Sequence, residues 1–252
     1  MGYEYPRDLL VLLSIFLRYL FYILWTNSIF LIDLVLKRIG NRSTLGLSHN
    51  VKHHISNDFY NLYWFQDFLI VLGSGGHSRV ILENLYILNK KNIKIYDFYY
   101  SIKKNNKILK SKVYDYKKIS KKEISKNNDF FLAIGDNDVR KKYFDKFKTK
   151  IKIPNLISKY SNISRYSKLG TANFLNHFCF IGPNSIIGNN NIINTKSLVE
   201  HDVKIGSHCH IGPSAKIGGA SSIGDNVMCG IGSIIINKIN ICSNVTIGAG
   251  SI

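Results

Sequence analysis

The chain is short of acid. Its 252 residues carry 34 Lys and Arg against 16 Asp and Glu, a formal charge of +18. Such a balance points toward nucleic acid or a membrane surface. The lysines, however, are scattered mainly through residues 90 to 152 among asparagine and isoleucine, and no aromatic-basic groove pattern accompanies them, so no nucleic-acid partner is expected. Cysteine is scarce as well. Cys179, Cys209, Cys229 and Cys242 form no CxxC pair and all lie in the last third of the chain, which argues against a disulfide scaffold and suits reduced residues in the cytoplasm. No acidic or thiol partner accompanies His49, His53 and His54, so no metal site is expected.

What is present begins with apolar residues. The stretch 9 to 36 (LLVLLSIFLRYLFYILWTNSIFLIDLVL) is long enough to cross a bilayer. Arg18 and Asp33 interrupt it, each at roughly 2.5–3.5 kcal/mol if placed at the bilayer centre. Lys37, Arg38 and Arg42 follow, so the positive-inside rule keeps the rest of the chain cytoplasmic. The run has neither a basic start nor a small-residue cleavage site, which argues against a signal peptide. Residues 1–40 are therefore read as an apolar helix and candidate membrane anchor on the inner face of the membrane. The alternatives are an amphipathic helix docked on protein or a start codon assigned too far upstream. Residues 41–67 read as a linker.

At Phe68 the texture changes. FLIVLGSGGHSRVILENLYIL reads as a buried strand, a glycine turn and a helix, in which Gly73, Gly75 and Gly76 leave amide N–H groups and a helix N-terminus free to face an anion. Ser78 stands where the third glycine of a dinucleotide fingerprint belongs. A second strand at 93 to 98 places Asp97 near its carboxyl end, where doubly wound sheets put ligand-contacting carboxylates. A third strand at 130 to 134 precedes a helix opening near Asp138. Residues 68–157 thus form a small Rossmann-like βαβαβ domain, about half the size of a dinucleotide-binding fold and suited to a mononucleotide-like ligand.

From Ile163 an apolar residue recurs every sixth position without insertion, through Leu169, Leu175, Ile181, Ile187, Ile193, Val199, Ile205, Ile211, Ile217, Ile223, Cys229, Ile235 and Ile241 to Ile247. A second, small or β-branched track follows four residues later, as at Ser185, Val203, Cys209 and Ala215, and a glycine often comes just after the apolar residue. A period of six fits a coil with three flat sides and permissive corners, a parallel β-helix of about five coils over residues 158–252.

The polar chemistry of that coil gathers in LVEHDVKIGSHCHIGPSAKIGG. His201 lies between Glu200 and Asp202, so a carboxylate is at hand to fix its tautomer and raise its basicity, as a general base requires. Gly219 follows it by eighteen residues, one turn of the coil, and should lie above it at about 4.8 Å, the strand spacing. His210 lies nine residues on, half a turn away, so the two histidines share a cleft only between neighbouring coils. A homotrimer with intersubunit sites is expected. The two-residue step from His208 to His210 does not make a three-ligand zinc site.

The motifs VLGSGGHSRV and VEHDVKIGSHCHIGPSAKIGG, in this order and joined by FLAIGDNDVR, resemble the NeuD/PglD-like sugar acetyltransferases, hexapeptide-repeat acyltransferases, over residues 68 to 252. The resemblance implies a left-handed β-helix, acetyl-CoA as donor and a sugar acceptor, most often a nucleotide-linked amino sugar made for surface glycans. It implies His201 as base, polarised by Asp202, with His210 and the Gly219 amide at the acetyl thioester. Gly73, Gly75, Gly76 and His77 match its nucleotide-sugar loop, Asp97 a uridine or ribose contact, and Asn194 a polar site residue. The chain departs from the family at Ser158-Lys159, where a His-Pro is usual, and at GAGSI, where relatives continue into a cap, so truncation or trimer contacts over that end are expected. The rival readings are O-acetylation of sialic acid or a related sugar, and a non-catalytic scaffold.

Overall fold

The computed structural model describes residues 68–98, 107–124 and 128–252. The expected apolar helix at 1–40 and linker at 41–67 lie outside them. Among the described residues no helix is long and apolar enough to cross a membrane. All of them belong to one compact unit, Phe65–Ile252.

The first part is a small α/β domain. Its elements are β1 (Leu69–Leu72), α1 (Gly76–Ile87), β2 (Ile93–Asp97), β3 (Lys107–Ile108), β4 (Ser111–Asp115), β5 (Asp129–Leu132) and α2 (Asn137–Phe147). The sheet order is β3-β4-β2-β1-β5, parallel except for the β3–β4 pair. The expected βαβαβ pattern is thereby corrected. Between β2 and β5 the described residues hold a short antiparallel pair and a single 3-10 turn, Tyr116–Lys118, in place of a second crossover helix. β1 reads LIVL and is buried over Ile70, Val71 and Leu72 because layers cover both of its faces. α2 starts where the Asp136 carboxylate accepts from the Val139 N–H at 2.8 Å, a side-chain N-cap.

The second part is a parallel β-solenoid of sixteen two-residue strands, β6 (Leu156–Ile157) to β21 (Thr246–Ile247), arranged in three sheets of five, five and six strands. β6 lies one step of six before Ile163, so the solenoid begins inside the segment assigned to the first domain. One face is six strands deep where about five coils are expected. The sixfold apolar track fills the interior: Leu175, Ile181, Ile193, Val199, Ile211 and Ile217 are fully buried. Each such side chain contributes about 1.5–3 kcal/mol relative to exposure, which is why the track tolerates no polar residue.

The corners differ from the glycine-based expectation. From Leu169 onward the left-handed backbone falls three residues after each apolar position, at residues such as Asn184 (φ 59°), Asn190 (φ 57°), Asp202 (φ 59°) and Asn226 (φ 57°). Short polar side chains that bond locally tolerate that region. The glycine just after the apolar residue serves a different end. A Cβ on Gly188 would lie 2.5 Å from the Gly206 carbonyl oxygen, so the glycine lets successive turns stack.

An interior asparagine ladder escaped the sequence reading. Asn155, Asn173 and Asn191 lie eighteen residues apart. Each accepts from the backbone N–H one turn on, at Asn173 (2.8 Å), Asn191 (2.9 Å) and Cys209 (2.7 Å). Their amides donate to the carbonyls of Gly170, Gly188 and Gly206. Cys209 ends the ladder, its thiol 3.0 Å from the Gly224 carbonyl. Cys179, Cys209 and Cys229 are buried free thiols, and Cys242 is exposed.

The two parts are fused along one solenoid face. On the outward row Leu156, Phe174, Ile192, His210, the first three residues join Ile81, Leu82 and Leu85 of α1 in a single apolar cluster. α1 therefore has a fixed seat on the sheet that contains β15 (His210–Ile211).

Candidate active site

His201 sits on the edge between β13 (Leu198–Val199) and β14 (Lys204–Ile205), strands of the two sheets that α1 does not cover. Its Nδ1 is 2.7 Å from the Asp202 carboxylate, and both side chains are more than half or about half exposed, at 59% and 50%. That contact and an Asn184 amide at 3.2 Å hold the Asp202 carboxyl below its usual range. With the proton on Nδ1 donated to Asp202, Nε2 is the basic nitrogen. Of the two flanking carboxylates it is Asp202, not Glu200, that makes the bond. The left-handed backbone at Asp202 turns its carboxylate back onto the preceding ring.

Gly219 lies one turn above. A Cβ placed on it would meet Nε2 of His201 at 2.7 Å and Cε1 at 2.8 Å, so the imidazole rests against bare backbone. The Ala220 N–H donates to the His201 carbonyl at 3.0 Å and locks the register. The Gly219 N–H donates to no other group among the described residues.

A second group of expected residues gathers on the α1 face. The His210 Nε2 is 3.0 Å from the Asn194 amide nitrogen, and the Gly135 backbone nearby favours the protonated ring. His77, in the first turn of α1, stands with its ring centroid 6.4 Å from that of His210 and 5.3 Å from that of Phe174. Burial above all, then the positive charge of Arg140, pushes His210 down to about 4, and burial with the neighbouring His210 and Arg140 pushes His77 down to about 3. Both rings are thus neutral near pH 7. The Nε2 of His77 is buried with no hydrogen-bond partner among the described residues.

Sequence reading missed the extension of this group. Asn194 accepts from the Asn176 amide at 3.1 Å, which in turn accepts from Asn84 of α1 at 3.2 Å. Asn176 stands eighteen residues before Asn194, a spacing that carries the signal once the turn length is known.

Gly73 has a φ of 108°, and a Cβ there would lie 2.7 Å from the Ala133 carbonyl oxygen, so the turns after β1 and β5 touch. Gly75 is the N-cap of α1 and Gly76 its first residue, with open space where their Cβ atoms would stand. Asp97 ends β2, and the Gly73 N–H donates to the Tyr96 carbonyl at 2.8 Å, which brings Asp97 to the mouth of the glycine turn. One chain thus holds two clusters: His201, Asp202 and Gly219 on the bare edge, and His77, His210, Asn194, the glycine turn and Asp97 on or beside the α1 face. Among the described residues no group of His, Cys, Asp and Glu could hold a metal ion.

Comparison with known proteins adds the following. Residues 68–147 match the family model of the PglD N-terminal domain, and residues 184–219 match that of the bacterial transferase hexapeptide. No curated protein matches the sequence. Among solved structures, the perosamine N-acetyltransferase PerB from Caulobacter crescentus, in complex with CoA and GDP-perosamine, is similar at 28% identity with a TM-score of 0.65. The match covers 73% of this chain and 87% of that one. The acetyltransferase domain of PglB from Neisseria gonorrhoeae, in complex with acetyl coenzyme A, matches at 24% identity and a TM-score of 0.65, over 73% and 89%. WeeI from Acinetobacter baumannii matches at 20% and 0.52, over 72% and 96%; these last two show shared fold alone. The PglD N-terminal match precedes the hexapeptide match, the order in which the NeuD/PglD-like sugar acetyltransferases, which this chain resembles, carry these parts, and the chain is an acetyltransferase.

Proposed function

We propose that this chain transfers an acetyl group from acetyl-CoA to the amine of a nucleotide-linked amino sugar in surface glycan biosynthesis, directly and in a ternary complex. The observation that carries the reading is the 2.7 Å contact of His201 Nδ1 with Asp202, which leaves Nε2 basic beside Gly219. Nε2 takes the proton of the amine as its nitrogen attacks the thioester carbonyl. The Gly219 N–H donates to the oxyanion, and the CoA thiol leaves as the amide forms. No acyl-enzyme is needed: Cys209 is fully buried and its thiol is pushed up to about 11 by burial.

Residues 68–157 would hold the nucleotide sugar through Gly73, Gly75, Gly76, His77 and Asp97, and residues 158–252 the acetyl donor, with His210 and Asn194 at the thioester. His201 and His210 stand on opposite sides of one prism. A homotrimer that sets the His201 edge of one chain against the α1 face of another completes the site, on the cytoplasmic side where acetyl-CoA is found. The first segment would tether the enzyme to the membrane.

The test is thiol release from acetyl-CoA with a panel of UDP-4-amino sugars, GDP-perosamine and sialic acid. Release with a nucleotide amino sugar alone supports the reading. Release with sialic acid alone would make the chain an O-acetyltransferase, and silence with every acceptor would leave a scaffold.

A further inference from the structure

Arg140, on α2, is 2% exposed, and all six of its hydrogen bonds go to neutral oxygens. Nε donates to the Asn190 carbonyl (3.2 Å), and Nη1 to those of Ile134 (3.2 Å) and Gly135 (3.0 Å). Nη2 donates to the Asn137 side chain (2.7 Å) and to the carbonyls of His208 (3.0 Å) and Cys209 (3.1 Å). A buried cation without a bonded carboxylate is costly, and an apolar side chain of similar volume would hold two domains together at less expense. Burial pushes Arg140 down to about 10, so it keeps its charge at neutral pH.

The segments it joins are informative. Asn190 and His208 stand at equivalent corners of successive turns, and Cys209 directly precedes His210. On the other side, the Gly135 backbone lies near enough to the His210 ring to favour its protonated form, and the Ala133 carbonyl two residues earlier packs against Gly73, which opens the glycine turn. The fork of one guanidinium therefore joins the solenoid residues just before His210 to the loop that lies beside the His210 ring and packs against the glycine turn.

We propose that Arg140 is a positioning residue: it holds the loop 133–135 in register with the solenoid and thereby sets the His210 ring and the Gly73–Gly76 turn relative to each other. The inference deepens the acetyl-transfer reading by naming what aligns its two ligand-facing parts. It is tested without ligand, so its failure and that of the reading are distinguishable.

The full chain is compared with Arg140→Met and Arg140→Lys by backbone amide exchange and by exchange at the imidazole C2 position, both read by mass spectrometry. The charged groups around the His210 ring are Arg140 and, when protonated, His77. In Arg140→Met, amides over 133–136 and 206–212 should exchange about tenfold faster or more, as expected for lost bonds to a charged donor. The His210 midpoint should rise toward the ordinary histidine value. Arg140→Lys keeps the charge and loses the fork, so the same amides should loosen with a smaller movement of the His210 midpoint. If Arg140→Met fails to fold, Arg140→Lys decides alone. A uniform rise in exchange along all solenoid strands with an unmoved His210 midpoint would reduce Arg140 to a structural clamp and overturn the proposal, as would unchanged local exchange in a folded variant.

Discussion

Gly219 lies against His201 so closely that a Cβ on the glycine would fall 2.7 Å from the imidazole Nε2. Only a hydrogen atom fits between that backbone and the basic nitrogen. The spacing of eighteen residues, one turn of the solenoid, sets this contact, and the absence of a side chain at Gly219 sets where the ring can sit.

Removing the base should separate chemistry from folding. In the acetyl-transfer assay, His201→Ala should lower kcat by about a hundredfold or more. The side chain is exposed, so the melting temperature should not move. Asp202→Asn, which keeps the turn but loses the charge below the ring, should give a smaller loss. Wild-type turnover in His201→Ala would remove the general base from the mechanism.

Gly219→Ala displaces a ring that has room to swing, so the fold should survive. Because the displaced atom is the basic nitrogen, a shift of about 1 Å should cost about a hundredfold in kcat. A circular dichroism melt alongside the rate measurement tells this apart from unfolding.

Gly188→Ala should do the opposite. The nearest atom its Cβ would meet is the Gly206 carbonyl oxygen, backbone that cannot swing aside, at 2.5 Å. About 1–3 kcal/mol of stability should be lost, read as a lower denaturant midpoint, with little change in kcat for the molecules that remain folded.

Stability should depend on pH through the seam. His77 and His210 are held neutral down to about 3 and about 4, mainly by burial, against an ordinary value of 6.5. Between 6.5 and those values the unfolded chain binds more protons than the folded one, so stability rises with pH there. Melting temperature should therefore be level above pH 6.5, fall as the pH is lowered from 6.5 toward 4, and fall less in His210→Gln. A melt that is level through this window would show that neither ring is held neutral.

Much of the fold was legible because solenoid geometry is local. A residue every six positions meets its equivalent eighteen later, so the apolar interior, the placement of Gly219 above His201 and the separation of His201 from His210 all follow from counting. The corners were misassigned because two different demands, close approach between turns and left-handed backbone, fall two residues apart, and only the first calls for glycine. The crossover helix that the described residues lack between β2 and β5 had no sequence signal strong enough to exclude it: a Lys- and Asn-rich stretch marks a connection without saying what the connection contains.

The sequence by itself determined the hexapeptide register, the β-loop-α opening and the histidine beside its carboxylate, because each depends on neighbours within one turn of chain. Only the tertiary structure decided which face of the solenoid α1 covers, how the His77 and His210 rings meet, and where the Arg140 guanidinium reaches. Those depend on contacts between segments about 50 to 135 residues apart, as when Arg140 meets the Asn190 and His208 carbonyls and His77 meets His210. Burial, which no local pattern encodes, then holds those two imidazoles neutral and leaves Arg140 charged.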